Sequence, residues 1–196
     1  VMATQNPIEQ EGVYQLPEAQ RDRFLFKLNV GYPSPEEERE IIYRMGVKPP
    51  EPKQILTTED LLRLQDVAAN TFVHHALVDY VVRIVTATRE PEKFGMPDAK
   101  AWIAYGASPR ASLGIISASR ALALVRGRDY VIPQDVVDVI PDVLRHRLVL
   151  TYDALADDVK AETVIARILQ TVGLPQVNAV PQQGHSVPPV GAPQAV

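Results

Sequence analysis

Helix start and stop signals cover most of the sequence after Ser34 and constrain the fold more than any other feature. Ser34 precedes Pro35 and the acidic run Glu36–Glu38. This is the pattern of an N-cap serine, a proline at the first helical position and acids facing the positive end of the helix dipole. We expect this helix to run to about Met45 and to end at Gly46, followed by a proline-rich loop.

A helical period of apolar residues continues from Thr57 almost to the end of the chain. Two buried faces are expected on successive helices: Leu61, Leu64 and Ala68 on the first, and Leu77, Val81, Ile84 and Val85 on the second. A third helix is expected to begin at Ser108-Pro109 and to end at Gly127. Its expected apolar positions are Leu113, Ile116, Ala121 and Leu124.

Two prolines interrupt the last part of the helical region. Pro133 and Pro141 each suit the first position of a helix, so the sequence predicts two short helices rather than one broken one. Residues 157–171 predict a last amphipathic helix. From Pro175 to the end, the chain is rich in Pro, Gln, Val and Gly without periodicity, and we expect a mostly disordered tail.

Two short runs near the start of the chain predict strands. Val1–Thr4 resembles the end of a buried strand, and Phe24–Val30 is apolar at most positions and is followed by Gly31 and Pro33. Two strands cannot bury themselves, so we expect them to belong to a larger parallel sheet whose other strands lie upstream. The sequence therefore predicts a mainly α fold preceded by the last two strands of a parallel sheet, in a piece of a longer protein.

The composition excludes several classes of function. The 196 residues carry 20 Lys and Arg against 24 Asp and Glu, a net charge of −4, which argues against a dedicated nucleic-acid or anionic-membrane surface. With no cysteine and only four histidines, no metal site is expected. No apolar run is long enough to predict a transmembrane segment, and no signal peptide opens the chain, so we expect a cytoplasmic protein.

Four polar residues are candidates for chemistry. Asn6 follows the first predicted strand, and ligands of open α/β sheets bind at the ends of strands. Its side-chain amide could orient a water molecule beside a phosphate. The alternative is that Asn6-Pro7 is only a turn signal. Arg21 and Arg23 precede the second predicted strand and could reach a neighbouring subunit's phosphate, or could be solvated partners of acidic neighbours. Arg110 lies in the first turn of a predicted helix, where a cation is unfavourable because it opposes the helix dipole. Together with free backbone amides it could form an anion-binding site. The alternative is that Arg110 is a tolerated surface charge.

Four stretches taken together are more specific than any one of them. In order, "ATQNPIEQEGVYQLPEAQRDRF", "YPSPEEE", "GASPRAS" and "VIPQDVVDVIPDVLRHR" resemble the MoxR family of AAA+ ATPases over about residues 1–172. The resemblance implies that residues 1–32 are the end of the nucleotide-binding core, that 33–174 are a helical AAA+ lid, and that 175–196 are the disordered tail.

The resemblance also implies roles for the candidate residues. Asn6 matches the first sensor, which positions the attacking water, and Arg23 matches the arginine finger, which completes the next subunit's ATP site. Arg110 matches the second sensor in the lid, acting within its own subunit or across the boundary. A second arginine at Arg21, where the family pattern has an apolar residue, leaves the finger assignment open between the two.

The nucleotide-gripping motifs are missing from this sequence. It contains no G-x-x-x-x-G-K-[ST] loop and no buried strand that ends in Asp-Glu, so ATP and Mg²⁺ are expected to be bound mainly by an upstream half. The family implies cytoplasmic, ring-forming, chaperone-like ATPases, with a hexamer expected here. Such ATPases act with von Willebrand factor A-domain partners on client proteins, in assembly, maturation or metal insertion.

Three functions stay open at this level. The leading hypothesis is the sensor, finger and lid part of such an ATPase, inactive by itself. The first alternative is a non-enzymatic helical docking module for a client protein. The second is part of a nucleic-acid-remodelling AAA+ motor, which the acidic balance and the lack of a basic stripe disfavour, so no nucleic-acid partner is expected.

Overall fold

The structure is a computed structural model that describes residues 2–5, 16–46, 49 and 51–176. Within these residues the chain forms nine α-helices, one 3-10 helix and one two-stranded antiparallel sheet. The helices are α1 Glu18–Arg21, α2 Pro35–Met45, α3 Thr58–Asn70, α4 His75–Ala87, α5 Ala99–Trp102, α6 Pro109–Val125, α7 Pro133–Leu144, α8 Tyr152–Ala156 and α9 Ala161–Thr171, with the 3-10 helix at Pro91–Phe94. The strands are β1 Ile103–Tyr105 and β2 Val149–Leu150. The mainly α fold is confirmed.

The hydrophobic core lies between α4, α6, α7 and α9. The predicted face of α4 is confirmed, because Leu77, Val81, Ile84 and Val85 are each at most 1% exposed. Burial of an aliphatic side chain of this size stabilises a fold by about 1.5–3 kcal/mol. The core therefore holds the helices of the middle and end of the chain together. None of the described helices is both long and apolar enough to cross a membrane.

The predicted start signals of α2 and α6 are confirmed. Ser34 caps α2 in a reciprocal capping box, in which the Ser34 Oγ accepts from the Glu37 amide and the Glu37 carboxylate accepts from the Ser34 amide. Ser108 caps α6, and Gly127 follows that helix with a φ of 72°, a left-handed conformation that glycine adopts without strain. The predicted end of α2 at Gly46 is also observed.

The buried face of α6 differs from the predicted one. Leu113 and Ala121 are exposed, whereas small residues on another face are buried: Ala111, Gly114, Ala118, Ser119 and Ala123. Apolar residues surround most of this helix, so periodicity alone could not select the face. The face with small side chains is the buried one because it lets neighbouring segments pack closely. A Cβ on Gly114 would lie only 3.3 Å from a methyl carbon of Val143 in α7.

The prediction of two short helices at Pro133 and Pro141 is wrong, since both prolines lie in the single helix α7. Pro141 removes one backbone hydrogen bond, to the carbonyl of residue 137, at a cost of about 3 kcal/mol or more in a helix interior. Apolar residues before and after it, including Ile140 and Leu144, are fully buried and offset that loss. The predicted helix over residues 157–171 instead begins at Ala161, because Asp158 has a φ of 52°, which a right-handed helix excludes.

The first part of the chain also departs from the prediction. The predicted strand Phe24–Val30 is not formed, and residues 2–5 form no strand either; Val1 lies outside the described residues. Instead of a partner strand, the backbone around Phe24–Lys27 meets side chains from the end of α7, described below. On α3 the predicted residues Leu61 and Leu64 are 50% and 42% exposed, so that face is not buried although α3 contacts α6. The predicted disordered tail lies outside the described residues from 177 onward.

The small sheet brings two distant helix ends together. β1 precedes α6 by the three residues 106–108, and β2 follows α7 after residues 145–148, with Ile103 opposite Leu150. The N-terminus of α6 and the residues just after α7 are therefore neighbours. This arrangement places the candidate site.

Candidate functional site

The structure places three of the four candidate residues. Arg21 ends α1, Arg23 follows it after one residue, and Arg110 lies in the first turn of α6. Asn6 lies outside the described residues. Although about ninety positions of sequence separate Arg23 from Arg110, the residue next to Arg23 links its loop to α6.

That linking residue is Asp22. The Ser108 hydroxyl donates to its carboxylate at 3.0 and 3.2 Å, an Arg110 guanidinium nitrogen donates at 3.2 Å, and Arg147 Nε donates at 3.0 Å. Burial by itself would raise the pKa of Asp22, but the hydrogen bonds from Ser108, Arg110 and Arg147 outweigh it and lower that pKa. Asp22 is therefore ionised at neutral pH and joins the loop to two arginines of the helical bundle.

Arg147, just beyond α7, makes the most extensive contacts in this cluster. Its side chain is only 3% exposed. Besides the Asp22 carboxylate, it donates to the backbone carbonyls of Asp22 at 3.0 Å, Phe24 at 2.6 Å and Leu25 at 3.0 Å, and to that of Val143. Burial lowers the pKa of Arg147, and Asp22 opposes that shift; a guanidinium in a protein stays protonated at neutral pH.

The two residues before Arg147 contact the same segment. His146 Nε2 lies 2.9 Å from the Phe24 carbonyl, and Arg145 donates to the Lys27 carbonyl and, at 2.8 Å, to Glu162 of α9. Burial lowers the pKa of His146, so the ring is neutral at pH 7 and Nε2 carries its hydrogen toward the carbonyl. The consecutive residues 145–147 thus bind the backbone of residues 22–27.

Arg21 and Arg23 differ in their surroundings. Arg21 is partly buried and lies 4.0 Å from Glu18, one turn earlier in α1. The Arg23 side chain is exposed and makes no hydrogen bond or ion pair with another described residue. Its two acidic neighbours contact other arginines, because Glu18 faces Arg21 and Asp22 faces Arg110 and Arg147.

The start of α6 is fixed by close packing against the end of α4. A Cβ on Gly106 would lie 2.4 Å from the Thr88 carbonyl oxygen, so only glycine fits. The next amide, of Ala107, donates to the Thr88 hydroxyl at 2.9 Å, and Arg89 Nε donates to the Ala107 carbonyl at 2.7 Å. Arg110 follows on this fixed turn with a side chain that is 58% exposed.

The donor set at this surface suits phosphate oxygens. Arg23 and Arg110 each present a guanidinium to solvent, and planar guanidinium groups bind phosphate bidentately. A divalent cation has no such site in the part of the chain that the structure describes, where no group of three or more acidic or histidine side chains converges. The two exposed guanidinium groups are therefore donors that an anion could accept.

Sequence reasoning missed the residues that assemble the cluster. Asp22 was considered only as a solvated partner for an arginine, and Arg147 was given no role. The signal available for Arg147 was its place in "RHR" directly after a helix, because carbonyls at a helix end attract cations. That signal does not indicate which other segment the arginines would bind.

Comparisons with known proteins match both parts of the chain. The AAA lid domain family matches residues 98–168, and the ATPase family associated with various cellular activities (AAA) matches residues 1–26. Chaperone MoxR1 of Mycobacterium tuberculosis is 82% identical over 190 residues, which are 97% of this chain and 50% of that protein. The chain belongs to the MoxR family of AAA+ ATPases.

Other relatives agree with this assignment. Protein MoxR of Paracoccus denitrificans is 33% identical over 77% of this chain and 48% of its own length. A crystal structure of a protein from Cytophaga hutchinsonii, described as a candidate ATPase, superposes with a TM-score of 0.84 at 35% identity, covering 88% of this chain and 53% of the other. The chain thus spans about half the length of the MoxR-family relatives that it matches.

Proposed function

We propose that this chain supplies the sensor, finger and lid part of a chaperone-like ATPase, in which Arg23 completes the ATP site of a neighbouring subunit. The observation that carries the proposal is the state of Arg23. Its side chain is exposed and has no partner among the described residues, while the backbone on both sides of it is tied to the helical bundle. An exposed guanidinium on a fixed loop is arranged to meet an anion on another molecule.

Arg110 and Asn6 have supporting roles in this proposal. Arg110, exposed at the start of α6, contacts the nucleotide phosphates as the second sensor, and Asn6 orients the attacking water as the first. ATP supplies the phosphoryl group, and the upstream half of the protein holds it with Mg²⁺. The fit of two solvent-facing guanidinium groups to phosphate oxygens supports this division of labour.

The choice of Arg23 over Arg21 rests on their contacts. Arg21 has an acidic neighbour at 4.0 Å within its own helix, and its Nε is buried without a partner in the described residues. Reaching a second subunit would require it to leave that position. Arg23 needs no such rearrangement, because its side chain is already exposed.

The family assignment supports a proposal for the wider assembly. We propose a homo-oligomeric ring, a hexamer, in the cytoplasm, acting with von Willebrand factor A-domain partners on client proteins in their assembly, maturation or metal insertion. Residues 1–32 would end the nucleotide-binding core, residues 33–174 would form the lid, and 175–196 a tail. The relative named Chaperone MoxR1, 82% identical, supports the chaperone-like part of this proposal.

The test is to replace Arg23 with alanine in the full-length protein, with Arg21→Ala as the matched control. A finger touches charge that develops during phosphoryl transfer, so Arg23→Ala should leave ATP binding nearly intact. Its kcat should fall by about 10³–10⁵, the range known for arginine fingers. Arg21→Ala should have a mild effect. Turnover by Arg23→Ala within about threefold of wild type, about 0.65 kcal/mol, would reject the proposal.

A further inference from the structure

We propose that Arg147 is a positioning residue for Arg23, fixing the loop that carries the finger to the end of α7. This inference rests on the proposed function, because it assigns a task to Arg147 only if Arg23 acts on a nucleotide. Arg147 is remote in sequence and buried, so it cannot itself reach a neighbouring subunit. Its effect on turnover would be exerted through the backbone on both sides of Arg23.

The contacts of Arg147 enclose the finger position. On one side it binds both the carboxylate and the carbonyl of Asp22, and on the other it binds the carbonyls of Phe24 and Leu25, all at 2.6–3.0 Å. Arg23 is the one residue between these acceptors, and its side chain is exposed. The guanidinium thus restrains the backbone at residues 22, 24 and 25 and leaves the Arg23 side chain directed elsewhere.

Secondary structure provides little restraint of its own at this loop. Helix α1 is a single turn ending at Arg21, and residues 26–30 belong to no helix or strand. The backbone bonds that continue into the loop are short-range, from the Arg23 amide to Gln20 at 3.3 Å and from the Phe24 amide to Arg21 at 3.1 Å. Long-range contacts to the loop come from two places. Ser108 and Arg110 of α6 bind only the Asp22 carboxylate, whereas Arg147 contributes four contacts to residues 22–25, three of them to backbone carbonyls.

Only arginine fits this arrangement of acceptors. The guanidinium has five N–H donors in a rigid planar fork, whereas a lysine ammonium has three donors on a flexible stem. The Arg147 guanidinium donates to five acceptors: four in residues 22–25 and the Val143 carbonyl in the last turn of α7. The positive charge is also favourable at the carboxyl end of a helix. Removing the Arg147 guanidinium would release the backbone of residues 22–25 from these hydrogen bonds while leaving the Arg23 side chain in place.

The experiment compares Arg147→Gln with wild type in the full-length ring, with Arg128→Gln as the control. Arg128 is also partly buried and makes two 2.6 Å hydrogen bonds to Asp135, but it does not contact the finger loop. Both variants should lower thermal stability. Arg147→Gln should reduce kcat at least about tenfold with little change in ATP affinity, because displacement of a reacting group by about 1 Å can reduce a rate by about 10². Arg128→Gln should keep kcat within about twofold.

A double-mutant cycle provides the readout that a general structural role would not change. In an Arg23→Ala background, Arg147→Gln should cause almost no further loss of kcat, because the side chain that it positions is gone. Arg147→Lys, which keeps the charge and part of the donor set, should recover part of the wild-type rate and serves as the test variant should Arg147→Gln not fold.

Two results would overturn the inference. One is a kcat for Arg147→Gln, or for Arg147→Lys in its place, equal to that of Arg128→Gln. The other is an equal fold-loss with and without Arg23, which would mean that Arg147 acts independently of the finger. These failures are distinct from failure of the proposed function, in which Arg23→Ala itself would turn over like wild type.

Discussion

Removing the carboxylate of Asp135 should destabilise the helical bundle far more than removing a surface carboxylate on the same helix. Asp135 has no exposed surface, and four donors bind its two oxygens: two Arg128 nitrogens at 2.6 Å each, and Arg126 and the Ile132 amide at 2.9 Å each. It therefore holds the start of α7 to the turn that ends α6. In Asp135→Ala, two arginines lose their common partner.

The magnitude follows from the exposure of those arginines. Breaking a buried ion pair by deleting one partner costs about 3–5 kcal/mol, since a charge is left buried and unpaired. Here water can reach part of that charge, because the side chains of Arg126 and Arg128 are 40% and 20% exposed. We therefore expect the lower end of the range, about 3 kcal/mol. The control is Asp138→Ala, one turn along, where an exposed pair with Arg126 is worth about 0–1 kcal/mol.

Urea unfolding of the chain, followed by far-ultraviolet circular dichroism, measures this difference. With a dependence on urea of about 1–3 kcal/mol per molar, a loss of 3 kcal/mol moves the midpoint down by about 1–3 M. A midpoint for Asp135→Ala that falls no further than that of Asp138→Ala would refute the reasoning. It would mean that the arginines find other partners or water at little cost.

Four further predictions concern stability, nucleotide binding and exposed apolar surface. As pH falls below about 4, the urea midpoint should drop. The reason is that the fold lowers the pKa of Asp135 despite its burial, through hydrogen bonds with Arg128 and Arg126, so the stabilisation that is present above the unfolded pKa is lost in acid. Asp135→Asn should flatten this acid dependence. Gly106→Ala should destabilise the chain by about 1–3 kcal/mol in the same assay through its clash with Thr88, whereas Gly173→Ala, which meets no atom within 4 Å, should be nearly neutral. By calorimetry the 196-residue chain should show no micromolar ATP affinity, since it has no P-loop, and tight ATP binding would contradict this. The chain should also bind a hydrophobic dye through the exposed apolar residues of α2 and α3, and a monomer that binds no dye would contradict this.

Local signals in the sequence predicted the starts of α2 and α6 and one core face correctly. Ser34 and Ser108 mark helix starts through contacts with amides only two or three residues away, so their effect is readable without knowing the rest of the fold. The buried face of α4 was readable because its apolar residues recur with a helical period and its other faces include charged Asp79 and Arg83.

Features that depend on distant parts of the chain could not be read in this way. The face of α6 is selected by neighbours such as Val143, and the continuity of α7 through Pro141 depends on burial around it. The segment Phe24–Val30 has the composition of a strand, but no described strand lies beside it and Arg147 binds its carbonyls instead. The candidate site was found only in part for the same reason, because Asp22 binds residues from two distant regions of the sequence, 108–110 and 147.

The central claim is that Arg23 acts on a nucleotide bound by a neighbouring subunit, and mixed rings test it most directly. Two inactive full-length variants are combined: Arg23→Ala, which keeps the P-loop, and a variant that lacks the P-loop lysine but keeps Arg23. If the finger acts between subunits, some interfaces in the mixture pair an intact P-loop with an intact Arg23, and ATP turnover should rise above that of either variant alone. Turnover that stays at the level of the separate variants, in rings shown to contain both, would contradict the account.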